Sequence, residues 1–507
     1  MRKKIVGRVV VGAILLSILM VFSTVAVAET EADKWLREAA KPYKGTTINV
    51  IGEALPPLAS LAERSAEFTK ITGIKVNIEQ RDMDSVKQKV TADFVANTHI
   101  YDAFMNYFSW ISSMVENDWL VPLETFMSDR KITDPNFDLK KDISNQEWLN
   151  TMAAYKGKLY GVPFTVHTIF LYWRWDIFEN PEEQKNFKAK YGYDLPSPPI
   201  TLKEYRDTSE FFTRKKGEKM AGKVLGYDVY GTTLCGKRHI STVYNWFNVL
   251  FTYNGQTIDS PGHFDYGPVI VNNDAGVKAL TYYKDMVDNF SPPGTTSYTW
   301  DEQLAAVQTE LAVSALLWAD AAYATTEDPT QSKVIGKIAF SGTPIGERKI
   351  TNMNGWVLSI PTSSKKQEAA WLFLQWTQRK EMQALLMANG TIALPDSAYT
   401  VPDVYNLTYA PTHYFFTHGK VLKVDGKEAF RKPGEDWGLP KDYYEAVDPV
   451  TGKREVVIFT MKCFPESLIL EDILGKYING CLAGEYEPKE ALDKAADELR
   501  RKIPRLK

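Results

Sequence analysis

The chain has 507 residues, a formal net charge of −3, and 24% charged and 12% aromatic residues. That length holds two or more cores at ~100–200 residues per domain. A nucleic-acid partner is argued against, because phosphate binding needs a clear basic excess. Three cysteines (Cys235, Cys463, Cys481) are too few for a disulfide-built scaffold.

In chain order, Arg2, Lys3, Lys4 and Arg8 precede an apolar run from Val9 to about Phe22, and Ala26-Val27-Ala28 follows. This is the n-region, h-region and small-x-small site of a signal peptide over residues 1–28, cleaved near Ala28. The apolar run is shorter than the ~20 residues that span a bilayer. No Cys follows the h-region, so lipoprotein anchoring is not supported. A soluble, exported chain from about Glu29 is expected.

A short helix is predicted around Trp35 to Ala40, then a strand at Thr47 to Ile51 and a helix at Leu58 to Thr69. A strand at Lys75 to Glu79, a helix at Val86 to Ala96, a strand at Ala103 to Met105 and a helix at Ile111 to Asn117 follow. This alternation predicts parallel strands with right-handed crossovers, an α/β lobe. Further helices are predicted at Leu202 to Thr213 with Thr201 as N-cap, and near Val243–Phe251, Asp274–Asp288 and Glu302–Val307. One helix is predicted over Gln367 to Met387, and two more at Leu468–Leu482 and Lys489–Lys502. Between Thr417 and Thr460 the Asp-Gly and Thr-Gly turns predict one or two hairpins in a surface insertion.

Tyr155 to Phe178 gathers eight aromatic side chains in a strand-like segment, with a Lys156-Gly157-Lys158 turn near its start. The polar gap from Thr165 to Thr168 is not what a core strand chooses. It predicts a strand that leaves one core, crosses an open space and enters another.

No G-x-S-x-G, H-E-x-x-H, C-x-x-C or Walker sequence is present. Six histidines lack metal-ligand spacing, so neither metal nor cofactor is expected. The positive signal lies in residues after strands, since open α/β sheets bind ligands beyond their strands' carboxyl ends. Glu53 follows the first strand, Arg81 the second, and Asn106-Tyr107-Phe108-Ser109-Trp110 the third. Aromatic faces against C–H surface, with polar groups for hydroxyls, suit a polyhydroxylated ligand.

Phe68-x-x-x-Thr72-Gly73-Ile74-Lys75-Val76, Tyr101-Asp102-Ala103 through Trp119-Leu120-Val121-Pro122-Leu123, and Lys156 through Pro163 with Leu171-Tyr172 carry a resemblance. Trp318-x-Asp320, Asn354-Gly355-Trp356-Val357-Leu358-x-Ile360-Pro361 and Ala483-Gly484-Glu485 complete it. In this order the chain resembles the extracellular solute-binding proteins of carbohydrate ABC transporters, the family that includes maltose-binding proteins. The resemblance covers about residues 45–400 and 463–500 and fails across 417–460.

It implies a two-lobed α/β periplasmic binding protein (type II) with a ligand cleft and a multi-strand hinge. Lobe one would hold residues 29–165 plus 358–398, and lobe two residues 166–357 plus 399–507. Carried over by position, the resemblance places sugar contacts at Asn106 to Trp110, Thr165, His167, Tyr244, Trp246, Trp318, Asp320, Asn354 and Trp356. His167 stands where maltose-binding relatives have a carboxylate, which argues against a maltose-like ligand. Pro395-Asp396 departs from a Gly-x-x-Pro-x-Arg pattern. For Trp318, Trp356 and Trp246 the competing reading is core packing; for Arg81 it is a solvated loop-end charge, and for Glu53 an interlobe hydrogen bond.

The expected function is capture of a sugar, oligosaccharide or polyol by a periplasmic monomer, with delivery to the membrane permease subunits of an ABC importer. A secreted glycan-active enzyme and a ligand-presenting sensor protein are the alternatives.

Overall fold

The computed structural model describes residues 30–506; the predicted signal peptide lies outside them. Two sheets organise the chain. Strands β1 (Thr47–Glu53), β2 (Lys75–Arg81), β3 (Ala103–Tyr107), β4 (Val162–His167) and β9 (Asn354–Ser359) form a five-stranded sheet in the order β2-β1-β3-β9-β4. Strands β5 (Ile169–Arg174), β6 (Ser314–Trp318) and β7 (Ile338–Ser341) form a second sheet with β5 central. A parallel pair, β8 (Ile350–Asn352) and β10 (Val457–Phe459), lies beside the hinge.

The first sheet follows the predicted alternation. β1 pairs in parallel with both β2 and β3, joined through helices Pro56–Thr72 and Met83–Ala96. β9 returns antiparallel between β3 and β4. Gly73 ends the first helix in a left-handed cap (φ 74°), where a side chain would be strained. Thr201 caps helix Leu202–Phe212 in a full capping box with Glu204.

The passage between sheets is narrower than the polar gap predicted. β4 keeps its place in the first sheet as far as His167, and β5 begins at Ile169, leaving Thr168 as the step. The reverse passage falls at Met353, between β8 and β9. The two passages touch through the Thr168 and Thr351 hydroxyls. A third pass runs alongside, where the Val166 N–H donates to Thr391 Oγ1 at 3.1 Å. The boundaries expected at 165/166 and 357/358 therefore cut within β4 and β9.

Two other expectations change. Gln367–Met387 is two helices, Gln367–Thr377 and Lys380–Ala388. Gln383 Nε2 donates to the freed Thr377 carbonyl at 2.9 Å, and Gln378 Nε2 ties the break to Pro163 O of β4 at 2.8 Å. In 417–460, Asp425-Gly426 turns one small hairpin (Lys423–Val424 with Lys427–Glu428). Thr451-Gly452 instead closes a loop around the buried Asp448.

That segment is also anchored. Buried Lys349 donates to four carbonyls: Tyr443 and Ala446 at 2.8 Å, Arg454 at 3.0 Å and Tyr444 at 3.3 Å. Arg431 pairs with Glu179 at 2.7 Å and lies 4.6 Å over the Trp173 ring. The three cysteines are buried and unbridged.

Candidate functional site

A cleft of about 870 Å³ opens where the strand tips of the two sheets face each other. β1 delivers Glu53, β3 delivers Tyr107, and β9 begins at the same edge with Asn354 and Trp356. Register locks these together. Trp356 stands opposite Tyr107 on one side and Thr165 on the other, and Asn354 stands opposite His167. The second sheet contributes Trp318 at the end of β6 and Asp320 two residues on.

Seven predicted residues therefore line one cavity: Glu53, Tyr107, His167, Trp318, Asp320, Asn354 and Trp356. His167 bridges the two sides. Its Nε2 lies 3.1 Å from Thr165 Oγ1, its Nδ1 lies 3.7 Å from Asp320 Oδ2, and its ring meets Trp318 edge-on at 6.4 Å.

Eight predicted residues lie outside the lining, among them Phe108 and Ser109, both buried. Arg81 sits on the edge strand, exposed, with its Nε donating to Glu79 at 2.8 Å. Asn106 points to the opposite face of β3 from Tyr107, as alternation demands, and donates to Ser359 Oγ. Trp110 packs edge-on behind Trp356 at 5.2 Å. Thr165 is fully buried beneath His167. Tyr244 backs the wall, 6.2 Å from Tyr107 and 6.1 Å from Trp318, with its hydroxyl donating to Glu471 at 3.1 Å. Trp246 is buried in a helix whose residues from Ser241 to Thr252 are all buried, and it packs on Phe247.

A family model described as bacterial extracellular solute-binding protein matches residues 49–384, about two thirds of the sequence. The chain belongs to this family. The solute-binding protein is 22% identical to a probable amino-acid ABC transporter periplasmic-binding protein of Sinorhizobium fredii, over 66% of this chain and 69% of that one. It is also 22% identical to a mannitol-binding protein of Pseudomonas aeruginosa, over 83% and 84% of the two chains. Its fold matches a solute-binding protein of Agrobacterium radiobacter K84 in complex with ribitol, with TM-score 0.69 and 24% identity over 91% of this chain and 99% of that one. The two-lobed type II architecture follows.

The cleft of this solute-binding protein also holds residues that sequence reasoning missed. Asp82 and Asp84 enter from the start of helix Met83–Ala96, one and three residues beyond the predicted Arg81. Lys237 and His239 enter before helix Ile240–Thr252. Trp300, Asp301 and Glu302 form the first turn of helix Trp300–Gln308. The helix predicted from Glu302 starts at Trp300, so Trp300 and Asp301 fell outside it and nothing marked the turn as a cleft wall.

Electrostatics are unusual here. Burial, then the charges of Asp320 and Asp301, push the Glu53 carboxyl up to about 8, with Trp356 pulling the other way. Burial raises Asp301, and Glu302 adds to it. Burial lowers His167, with Asp320 opposing, so the ring favours its neutral form. Two buried polar atoms on lining residues, His167 Nδ1 and Asn354 Nδ2, have no hydrogen-bond partner. Buried polar groups are rarely left so, and both belong to residues on the cleft wall.

Proposed function

We propose that this protein captures a sugar or polyol outside the cytoplasmic membrane and delivers it to the permease of an ABC importer. The observation that carries the reading is the cleft itself. Aromatic faces (Tyr107, Trp318, Trp356), unpartnered polar atoms (His167, Asn354) and carboxylates (Glu53, Asp320) converge from both sheets on one space. The first suit C–H surface and the others suit hydroxyls. The mannitol-binding relative supports a polyol, and the neutral His167 agrees with a ligand other than maltose.

These seven residues are the proposed ligand contacts, with lobe one at about residues 29–167 plus 354–398, bounded by the Thr168 and Met353 passages, and lobe two comprising the rest of the mature chain. Residues 1–28 act as a signal peptide directing a monomer to the periplasm. Ligand touching both lobes favours the closed arrangement by its differential affinity, and the Thr168 and Met353 passages are the hinge. Binding is the whole activity, with no covalent step.

The test is a thermal-shift screen over sugars and polyols, followed by calorimetry. A bound ligand at 100 times its Kd adds about 2.7 kcal/mol of stability. A flat screen across pentitols, hexitols, tetritols and oligosaccharides refutes the proposal.

A further inference from the structure

Four carboxylates in the cleft have no Lys or Arg partner among the described residues. Glu53 and Asp84 come from the five-stranded side, and Asp301 and Asp320 from the other. Their neighbours differ. Asp82 caps helix Met83–Ala96, Glu302 closes a capping box with Thr299, and Asp328 holds the Thr330 N–H at 2.9 Å. Among the described residues no Lys or Arg lies within ion-pair distance of the four, whereas carboxylates elsewhere are widely paired. Lys237, the one lysine of the lining, acts on Glu302.

An acidic cluster alone is a solvated surface. This one is joined by two polar groups that point to a ligand. Asn354 is 1% exposed and His167 5% exposed, both line the cavity, and Asn354 Nδ2 and His167 Nδ1 lack partners. Nδ1 of His167 faces Asp320 across 3.7 Å.

Resting on the sugar-or-polyol reading above, we propose that the ligand is a polyhydroxylated cation, an amino sugar or amino polyol. Its ammonium lies between carboxylates of the two lobes, with Asp320 and Asp301 on one side and Glu53 on the other. Its hydroxyls meet Asn354 and His167, and its carbon face lies on Trp318.

The physical reason is the cost of closure. Bringing like charges of two lobes into one low-dielectric space is unfavourable unless a proton or a cation enters. Glu53 is raised first by burial and then by Asp320 and Asp301 of the other side. A neutral polyol leaves that proton on Glu53 and makes no charge-assisted bond to Asp301 or Asp320. An ammonium removes the repulsion with charge-assisted hydrogen bonds to both lobes, and so favours closure directly.

The experiment uses matched pairs on the full mature chain: glucitol against 1-amino-1-deoxyglucitol, glucose against glucosamine, and ribitol against its 1-amino analogue. Calorimetry is run at neutral pH in two buffers of different ionisation enthalpy. In at least one pair the amine should bind about tenfold tighter or better, near 1.4 kcal/mol. Its binding should release a proton from Glu53, and the preference should shrink as salt rises from about 0.05 to about 0.5 M. Asp301→Asn and Asp320→Asn should each reduce the amine-to-neutral affinity ratio, with the ligand-free melting temperature as the folding control.

A neutral member binding as tightly as its amine overturns this inference and leaves the sugar-or-polyol reading standing. Neither member of any pair binding overturns this inference, and the wider thermal-shift screen alone decides the sugar-or-polyol reading. A rise in melting temperature with calcium chloride alone also overturns it, because the carboxylates would then be a metal site.

Discussion

Glu471 offers a test of the chemistry behind the cleft wall. It lies on helix Ser467–Leu482, is 5% exposed, and accepts a hydrogen bond from Tyr244. Burial pushes its carboxyl from 4.5 up to about 7, with Tyr244, then Lys87, opposing. A carboxyl held high is protonated in the folded protein over a range where the unfolded chain has lost its proton. Its contribution is therefore fully present below about pH 4.5 and falls as pH rises towards 7, staying low above that. At 1.36 kcal/mol per unit, the fall amounts to about 3 kcal/mol. Glu471→Gln keeps the shape and removes the titration. Urea unfolding from pH 4.5 to 8 should show the variant close to wild type at the acid end and more stable by up to about 3 kcal/mol at pH 8. Glu53 and the histidines titrate in both proteins and cancel in the difference. A stability difference that stays constant with pH would refute the reasoning.

Three further predictions address packing and binding. Gly355→Ala should cost about 3 kcal/mol in urea unfolding. Its Cβ would sit 2.2 Å from the Thr165 carbonyl and 2.7 Å from Met152 Cε, inside the strand pairing that carries Asn354 and Trp356. Lys349→Met should lower stability by about 3 kcal/mol, because one buried and three part-buried carbonyls lose a charged donor. Limited proteolysis should then cut first between residues 441 and 455, where those carbonyls lie. Trp318→Ala should weaken ligand binding by about 2 kcal/mol, roughly thirtyfold in Kd, while the ligand-free protein still melts cooperatively. Unchanged affinity would return Trp318 to the core.

Tyr155 to Phe178 illustrates how far local pattern reaches. The aromatic runs on either side of Thr165–Thr168 predicted two cores, and β4 and β5 do fall in different sheets. The step itself proved to be Thr168, because β9 pairs with β4 as far as His167 and extends the first sheet into the gap. Insertion 417–460 shows the opposite limit. Its Asp425-Gly426 hairpin was legible from turn chemistry, but its attachment through Lys349 and β10 depends on chain more than 90 residues away.

By itself the sequence determined the strand–helix alternation of the first lobe, the ends of β1 and β3 that line the cleft, and the family. It did so because these depend on short-range periodicity and on motifs read in order. Only the tertiary structure decided which side chains see the cleft. Asn106 and Tyr107 are adjacent but face opposite sides of a strand buried on both faces, so no hydrophobic alternation marked the difference. Tyr244 and Trp246 sit on a helix buried all round, where spacing defines no preferred face. Glu53, Asp301 and Asp320 are far apart in sequence and act on one another only where the two sheets face each other. Coulomb interaction acts through space, and that distance is set by the fold.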